Sequence, residues 1–291
     1  STYNSFESAN TNLSITDNEL TQTPDWKGAE VVIRKNDWIL DRCRITSHSG
    51  GTLIYTSLGG DNDAIAGFGY FIQNDKRTLT AFGEWYHDHA GDKIYFYFGS
   101  SNPLALKVEI AVLNNLLYNI GHDYITVDNL HFRGSVSHMV ESVVNVNDYI
   151  TIRNSRFCFV GLNAINLCGN YSNITNNLIS ACNQTGIKVD GIQHNIEFNT
   201  IEKTGLVEGQ AFWGNLTNGI AIGNNNCIIK NNVIRETGYC AIILSSIVQT
   251  ITIQNNFIHD ILCTLNDGAG IYVTAEGISR KIDGNIILNV H

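Results

Sequence analysis

One short pattern recurs through the second half of the sequence and constrains the fold more than any other feature. From about Tyr124 onward, a β-branched run followed by an Asn pair, or a close variant of it, returns every 22 to 33 residues. Repeats of this size are typical of solenoids. Aligning the runs ITVDNLHF, ITIRNSRF, SNITNNLI, HNIEFNTI, CIIKNNVI, ITIQNNFI and RKIDGNII gives one column, formed by Leu130, Ser155, Asn177, Asn199, Asn232, Asn256 and Asn285.

A second strand follows each repeat and alternates with period two. It reads AINL from Ala164, GIKV from Gly186, GIAI from Gly219, AIIL from Ala241 and GIYV from Gly270. The alternation sends one set of side chains to the core, namely Ile165, Leu167, Ile187, Val189, Ile220, Ile222, Ile242, Leu244, Ile271 and Val273. Coils this short cannot hold a crossover helix, so equivalent strands of successive coils are expected to pair in parallel. The pattern predicts an all-β, right-handed parallel β-helix, with an internal ladder of stacked Asn side chains about 4.8 Å apart.

Composition excludes several classes of protein. Asn and Ile each make up roughly an eighth of the chain, and charged residues make up 15%, against about 25% in average soluble proteins. The net charge is −9 and basic residues are scattered, so no nucleic-acid partner is expected. No apolar run approaches the length of a membrane span. Seven cysteines without a CxxC motif indicate small buried side chains rather than a zinc site or a disulfide framework.

The first hundred residues are less regular. We predict one β-helix domain over residues 1–291, with a lead-in over 1–26 and a hairpin inserted over 61–105 that turns at Ala90-Gly91-Asp92. Residues 28–56 are interpreted as an initial coil. The chain stops directly after Asn285-Ile286-Ile287, so we expect the C-terminal coils to be incomplete. The start STYNSFESAN has no apolar signal segment, so any targeting segment is expected to have been removed.

Two coils are longer than the others, and loops on a rigid scaffold are where function concentrates. The extra residues lie at 206–216 and 262–267, both just before the second strand of a coil. We predict that these loops wall a cleft over the turn at Gly238. Glu208 and Trp213 lie on one wall and Asp267 on the other.

Carboxylates gather near this cleft. Counting four positions from the Asn column places Lys203, Glu236 and Asp260 on successive coils, so Glu236 and Asp260 are expected to be neighbours. Like charges that close raise one pKa, as a general acid requires. The alternative is an exposed salt-bridge ladder of Glu202, Arg235 and His259.

Further candidates are weighed against structural roles. Lys188 and Asp190 flank the outward side of GIKVDG, where they act as base or substrate clamp or simply form a solvated face. Tyr272 points outward and is able to stack on a sugar. His259 and Glu208 complete the set of predicted substrate-binding residues, with Trp213. His87 and His89 have no third ligand nearby, so no metal site is expected.

The runs GFGYFIQNDKRTLTAFGEWYHDHAGDKIYFYF, NVIRETGYCAII and NDGAGIYV resemble the bacterial right-handed parallel β-helix repeat proteins of the broad pectate-lyase-like group. The resemblance covers residues 27–273. It implies export to the periplasm, cell surface or medium and a poly- or oligosaccharide substrate. The family includes glycoside hydrolases with an acidic pair on the outer face and lyases with a Lys or Arg base. Relatives often read DDGGGIY, so Asn266 here replaces an acid and Asp267 matches the remaining carboxylate.

Three functions follow as hypotheses. The first is a glycoside hydrolase with Asp267 and Asp260 as catalytic carboxylates and Glu236 tuning or replacing Asp260. The second is a polysaccharide lyase with Lys188 as base, acting by β-elimination on a uronate-containing glycan. The third is a non-catalytic β-helix that serves as an adhesin or glycan-binding protein. No cofactor is expected, with a structural or substrate-bridging Ca²⁺ left open, and the protein is expected to be a monomer.

Overall fold

The computed structural model describes residues 3–88, 90–143, 147–212, 214, 216–245, 247–274 and 276–291. The chain divides into two compact units, Ser1–Ile110 and Ala111–His291. The described elements are strands apart from two short 3-10 turns, Lys76–Thr78 and Pro103–Ala105. The all-β prediction is therefore confirmed, whereas the prediction that residues 1–291 form one domain stays a prediction.

The first unit is built on a seven-stranded sheet whose strands pair antiparallel, in the order β1-β7-β4-β5-β6-β3-β2. Its core holds alternate residues of the central strands, such as Val31, Ile33, Cys43 and Ile45. The strands are β1 (Asn4–Ser5), β2 (Ser8–Asn10), β3 (Ser14–Thr16), β4 (Glu30–Asn36), β5 (Ile39–Ser49), β6 (Thr52–Ser57) and β7 (Gly69–Gln73).

The initial coil predicted over residues 28–56 is wrong. Strand β4 pairs antiparallel with β5, so this segment is a meander and not a solenoid coil. Side chains alternate with period two in parallel and in antiparallel sheets, so the pattern does not distinguish a solenoid coil from a meander. A hairpin is present within the predicted span 61–105 but covers less of it: β8 (Trp85–Asp88) pairs antiparallel with β9 (Lys93–Phe96), and the Asp88 carboxylate accepts the Gly91 N–H in the turn. Strand β7 of the same span pairs with β4 in the main sheet.

The second unit is a right-handed parallel β-helix of seven coils. Each coil adds one strand to each of three seven-stranded parallel sheets. Sheet I contains β10 (Leu117–Asn119), β13 (Val140–Ser142), β16 (Ile165–Cys168), β19 (Ile187–Asp190), β22 (Ile220–Ile222), β25 (Ile242–Leu244) and β28 (Ile271–Val273). Sheet II contains β11 (Thr126–Asp128), β14 (Thr151–Arg153), β17 (Asn173–Thr175), β20 (Asn195–Glu197), β23 (Cys227–Lys230), β26 (Thr250–Gln254) and β29 (Ser279–Asp283). Sheet III contains β12 (His131–Ser135), β15 (Arg156–Val160), β18 (Leu178–Cys182), β21 (Thr200–Thr204), β24 (Val233–Thr237), β27 (Phe257–Ile261) and β30 (Ile286–Val290).

The core of the β-helix consists of aliphatic rows, because equivalent residues of successive coils pair in register. The Ile row of sheet II and the inward residues of β16, β19, β22 and β25 are buried. In the last coil Ile271 is half-buried and Val273 is 39% exposed, although both pair in register with the buried Ile242 and Leu244, as predicted. Strand β28 is the edge strand of sheet I, so one side of each residue lacks a neighbouring coil.

The asparagines of the predicted column hydrogen-bond to one another inside the corner between sheets II and III. The Nδ2 of Asn177 donates to Oδ1 of Asn199 at 3.0 Å, and the same bond links Asn199 to Asn232 and Asn232 to Asn256. Each Oδ1 also accepts the backbone N–H of the preceding Asn, at 2.9 to 3.0 Å in these three pairs. The corner thus satisfies buried amide groups that a solvent-free turn would otherwise leave without partners.

Outside the Asn ladder, each coil contains two positions at which a residue with positive φ bends the chain. One column precedes the Asn ladder and includes Asn154, Asn176 and Asn231, a residue type that tolerates positive φ. The second column lies within sheet III and comprises Gly134, Phe159, Ala181, Lys203, Glu236, Asp260 and Asn289. Because such different residues share it, the positive φ at Glu236 and Asp260 reflects the shape of the coil.

The seven cysteines are all free, and Cys43, Cys182, Cys227 and Cys240 are buried. Within the described residues, no helix is long and apolar enough to span a membrane.

Candidate functional site

The outward residues of sheet I form one continuous row along the β-helix. Strand pairing places Glu141, Asn166, Lys188, Ala221, Ile243 and Tyr272 on successive coils. All six are partly exposed. The exposed Tyr118 precedes these six residues on the first coil, so the row is polar over its next three coils and apolar or aromatic over the last three.

Glu141 is held by side-chain amides from both neighbouring coils. Asn115 Nδ2 donates to one carboxylate oxygen at 2.7 Å, and Asn166 Nδ2 donates to the other at 3.3 Å. His138 Nε2 lies 3.8 Å from the second oxygen. Two N–H donors aimed at the two oxygens fix the orientation of this carboxylate, as a base or nucleophile requires.

Lys188 and Asp190 form an ion pair at the other end of the polar stretch. Lys188 Nζ lies 2.8 Å from an Asp190 oxygen, and their side chains are 38% and 40% exposed. Burial lowers the pKa of His138, the Glu141 carboxylate opposes this and Lys188 adds to it. The charges of Glu141 and Lys188 therefore both act on His138. Of the residues on this face, the sequence analysis named only Lys188 and Asp190 as candidates.

A pocket of about 350 Å³ opens beside Asp190, at the C-terminal ends of the sheet I strands. Gly169, Gly191 and Gly223 line it, together with Asn170, Asn224 and Ile247. A Cβ on Gly223 would lie 2.0 Å from Asp190 Oδ1, and one on Gly191 would lie 1.7 Å from Gly169 O. Glycine is thus required for the close packing of this wall, and at Gly223 it lets the carboxylate lie against the backbone.

His194 lies beneath the pocket. It is 1% exposed, and its Nε2 would be 3.0 Å from a Cβ on Gly191. Its Nδ1 accepts the Ser172 N–H at 3.3 Å, so Nε2 carries the proton of the neutral ring. Burial lowers the pKa of His194 to about 4.

The first long loop borders the N-terminal side of sheet I. Phe212 N donates to Gln184 Oε1 at 3.2 Å, Gln184 Nε2 to Asn163 Oδ1 at 3.2 Å, and Asn163 N to His138 Nδ1 at 3.2 Å. This chain of bonds connects the loop to the side chains around Glu141. Trp213 lies outside the described residues, and Glu208 is half-buried in the same loop.

The predicted cleft over Gly238 is wrong, because the second long loop fills it. Thr264 N and Leu265 N both donate to Gly238 O, at 3.0 and 2.9 Å. Thr264 Oγ1 donates to Gly205 O at 3.1 Å, which lies one coil before Gly238, and Leu265 is buried. The loop at 262–267 therefore packs onto the turn that was expected to form an open floor.

Asp260 has the opposite electrostatics to those predicted. A hydrogen bond from His259 at 2.7 Å, and then one from Asn289 at 3.0 Å, lowers the pKa of its carboxyl group. Asp260 is therefore not the member of the pair whose pKa is raised, because hydrogen-bond donors determine the direction of its shift. The alternative ladder is present in part: Arg235 pairs with Glu202 at 2.5 Å.

The other site residues predicted from the sequence lie on coils distant from that of Glu141. Asp267 is exposed, and its backbone oxygen accepts a hydrogen bond from Tyr239 OH at 3.0 Å. Tyr272 lies at the apolar end of the sheet I row, with its ring 6.3 Å from that of Tyr239. His89 lies outside the described residues, and in the described part of the chain no group of three or more His, Cys, Asp and Glu is placed to hold a metal.

Sequence reasoning missed Glu141, His138 and Asn166. The strand VES at 140–142 lacks the small-residue–Ile start of the later coils, so the alignment of second strands began one coil too late. Counting one coil back from Asn166 would have placed Glu141 on the outward row.

Comparison with family models gives no match, and comparison with curated protein sequences gives none either. Among solved structures, a glycoside hydrolase is similar with a TM-score of 0.60 and 13% identity, over 99% of this chain and 73% of that one. The A-module of the mannuronan C-5 epimerase AlgE4 of Azotobacter vinelandii has a TM-score of 0.40 and 14% identity, over 58% of this chain and 61% of that one. The catalytic domain of a GH87 alpha-1,3-glucanase in complex with nigerose has a TM-score of 0.28 and 14% identity, over 97% and 66%. The chain thus spans less than two thirds of the epimerase module, and the likeness to the glycoside hydrolase is one of fold.

Proposed function

We propose that this protein is an exported carbohydrate-active enzyme, a glycoside hydrolase that binds a poly- or oligosaccharide along the outward row of sheet I. The observation that carries the proposal is the gathering of Glu141, Asn166, Lys188 and Asp190 on one partly exposed face. The glycoside hydrolase of similar fold agrees with this, at an identity that speaks for the fold alone.

Glu141 and Asp190 are the proposed catalytic carboxylates. Glycosidic cleavage needs a proton donor and a carboxylate that acts as nucleophile or base. Glu141, oriented by Asn115 and Asn166, suits the second role. Asp190 is assigned the first role because it is the other carboxylate on this outward face, with Lys188 Nζ 2.8 Å away and able to bind a sugar hydroxyl.

The apolar end of the row suits the sugars beyond the cleaved bond. Ala221, Ile243 and Tyr272 follow Lys188 at the spacing of strands in a sheet, about 4.8 Å per coil. Aliphatic and aromatic surfaces of this kind contact the apolar faces of pyranose rings. An extended chain lying along the β-helix axis would therefore meet the polar and apolar halves in turn.

The test is a glycan screen followed by matched variants. Products are measured both as new reducing ends and as ultraviolet absorbance, because hydrolysis gives only the first. On the active substrate, Glu141→Gln and Asp190→Asn should each abolish most activity. The variants Glu236→Gln, Asp260→Asn and Asp267→Asn test the pair inferred from the sequence. Loss of activity in that second set, with full activity in the first, would move the site to sheet III and the loop at 262–267.

A polysaccharide lyase is the second candidate, favoured by the place of Lys188 on the outward row, where the polar stretch meets the apolar one. Lys188 would abstract the proton α to a uronate carboxylate, and elimination would leave an unsaturated sugar. Ultraviolet absorbance from a uronate glycan, lost in Lys188→Met, would establish this reaction in place of hydrolysis.

A further inference from the structure

Lys35 is a buried lysine that neither the fold nor the proposed function explains. It lies near the C-terminal end of β4, and its side chain is 0% exposed. It comes two residues after Ile33, a member of the core of the first unit, so alternation places it on the same inward face. Lysine is almost never fully buried unless its amine has partners, so the partners of this amine indicate its role.

The Asp41 carboxylate is the charged partner of Lys35. It lies opposite Ile33 in the pairing of β4 with β5, and its Oδ2 is 3.0 Å from Lys35 Nζ. The Asp41 side chain is 1% exposed, and a Cβ on Gly60 would lie 3.0 Å from its Oδ1, so the chain at Gly60 covers it closely. The cost of taking both charges out of water can exceed their attraction, so stability alone is a weak reason for such a pair.

Asn12, at the tip of the hairpin between β2 and β3, is the third member of this cluster. Lys35 Nζ donates a hydrogen bond to Asn12 Oδ1, so the amine lies beside the side-chain carbonyl group. Backbone hydrogen bonds hold the hairpin tip on both sides. Ala64 N donates to the carbonyl of the preceding residue at 3.3 Å, and Tyr55 N donates to that of the following residue at 3.0 Å. An amine and a carbonyl group that are held together in this way react far faster than the same groups free in solution.

The amide nitrogen of Asn12 is directed away from the amine. Its Nδ2 donates to Gly60 O and to Asp61 Oδ1, each at 3.4 Å, and Asp61 is exposed. The carbonyl group therefore faces the buried amine, while the nitrogen faces a route by which it can leave. All of these residues belong to the first unit, so the cluster is complete within it.

We propose that Lys35 and Asn12 form an intramolecular isopeptide bond, with Asp41 as the group that carries the protons. Lys35 gives a proton to Asp41, and its free amine attacks Cγ of Asn12. Asp41 passes that proton to Nδ2, so the Cγ–Nδ2 bond breaks, ammonia leaves and the new Nζ–Cγ bond remains. Nζ then gives its surplus proton back to Asp41. The ammonium, carboxylate and amide thus become a secondary amide, a carboxylic acid and ammonia, which balances atoms and charge without an oxidant or a cofactor.

Mass spectrometry of the unaltered full chain tests this bond directly. The intact mass should be lower than the mass of the sequence by one ammonia. In a tryptic digest of the denatured protein, the peptide that contains Asn12 and ends at Lys27 should be joined to the peptide 35–42, because acylated Lys35 is no longer a cleavage site. An intact mass equal to that of the sequence would overturn the proposal. A deficit of one water would do so as well, because it would join Lys35 to Asp41 instead.

Variants test the role of each member of the cluster. Asn12→Ala and Lys35→Met each remove one reacting group, and Asp41→Ala removes the proton carrier, so all three proteins should have the full mass of their own sequences. Asn62→Ala is the matched control. Asn62 donates to Asp41 Oδ2 at 3.4 Å but is not a reacting group, so its replacement should leave the mass deficit in place. A deficit that persists in Asn12→Ala or in Asp41→Ala would contradict the roles assigned here.

Circular dichroism of each variant shows whether the first unit still folds. Where a variant does not fold, the tryptic digest of the unaltered protein decides alone, because the joined peptides are either found or absent. Asn12, Lys35 and Asp41 are not among the proposed catalytic residues, so failure of this proposal leaves the activity tests unaffected.

Discussion

Sheets I and III both carry charged residues on their outer faces, but they use them differently. On sheet III, charges meet opposite partners on the same or the next coil, as Arg235 does with Glu202 and Asp260 with His259. On sheet I, Lys188 and Asp190 also form an ion pair, but Glu141 is held by neutral amides from two coils. An amide orients a carboxylate without cancelling its charge, whereas a carboxylate in an ion pair has to exchange its partner before it contacts a ligand. The partners of a charged side chain on the outer face of the β-helix therefore indicate whether that side chain is available to a ligand.

The largest expected effect separates the two faces by activity. Glu141→Gln keeps the shape but loses the negative charge, so kcat/KM on the active glycan should fall by about 10²- to 10⁴-fold, the usual contribution of a general acid or base. Glu202→Gln, the matched change on sheet III, should alter kcat/KM by less than about threefold. Equal losses in both variants would mean that the two faces do not differ in function.

The second prediction concerns the pH dependence of stability that the buried His194 causes. His194 is neutral when folded, with a pKa of about 4 against 6.5 in the unfolded chain, so protons bind the unfolded state more strongly. Stability should therefore fall as the pH drops from about 6.5 to about 4, by about 3 kcal/mol from this residue. His194→Gln should flatten that part of the curve in urea unfolding measurements. An unchanged slope in the His194→Gln protein would contradict this prediction.

A smaller effect is expected for the salt bridge of sheet III. The Arg235 side chain is 43% exposed, so solvent screens its attraction to Glu202. Arg235→Ala should lower the free energy of unfolding by at most about 1 kcal/mol, measured from the urea midpoint, with no change in activity. A loss of several kcal/mol would show that the pair supports the coil and not only its surface.

The smallest effect concerns Asp260. Its pKa is lowered in the folded state, so its contribution to stability is present above the ordinary carboxyl pKa of 3.8 and disappears as the pH falls below it. Asp260→Asn should therefore differ from the unaltered protein at neutral pH and converge with it in acid, as read from melting temperatures. This window lies below that of His194, so one pH series distinguishes the two contributions. A difference that persists unchanged in acid would exclude the hydrogen bond from His259 as its source.

The repeated part of the fold was predictable because it depends on short-range pattern. Asn177 to Asn256 and the inward Ile residues recur coil by coil, and each coil packs only on its neighbours. The first unit was not predictable in the same way, since strands β4 and β5 alternate as a parallel strand would. Lys188, Asp190 and Tyr272 were placed on the outward side of sheet I from alternation alone. The filled turn at Gly238 was missed because Thr264 and Leu265 reach it through loop backbone bonds that follow no period.

The Asn ladder also determines how such a molecule changes length. Each of these asparagines bonds to its counterpart on the next coil and to backbone groups of its own or an adjacent coil, so removal or duplication of a whole coil brings equivalent residues together again. A change of a few residues in the corner would instead displace the amide from its stack. Gain or loss of entire coils by recombination within the gene is therefore the change that this architecture accommodates. The outward row of sheet I would lengthen or shorten one strand spacing at a time, while Glu141 and its neighbours stay in place.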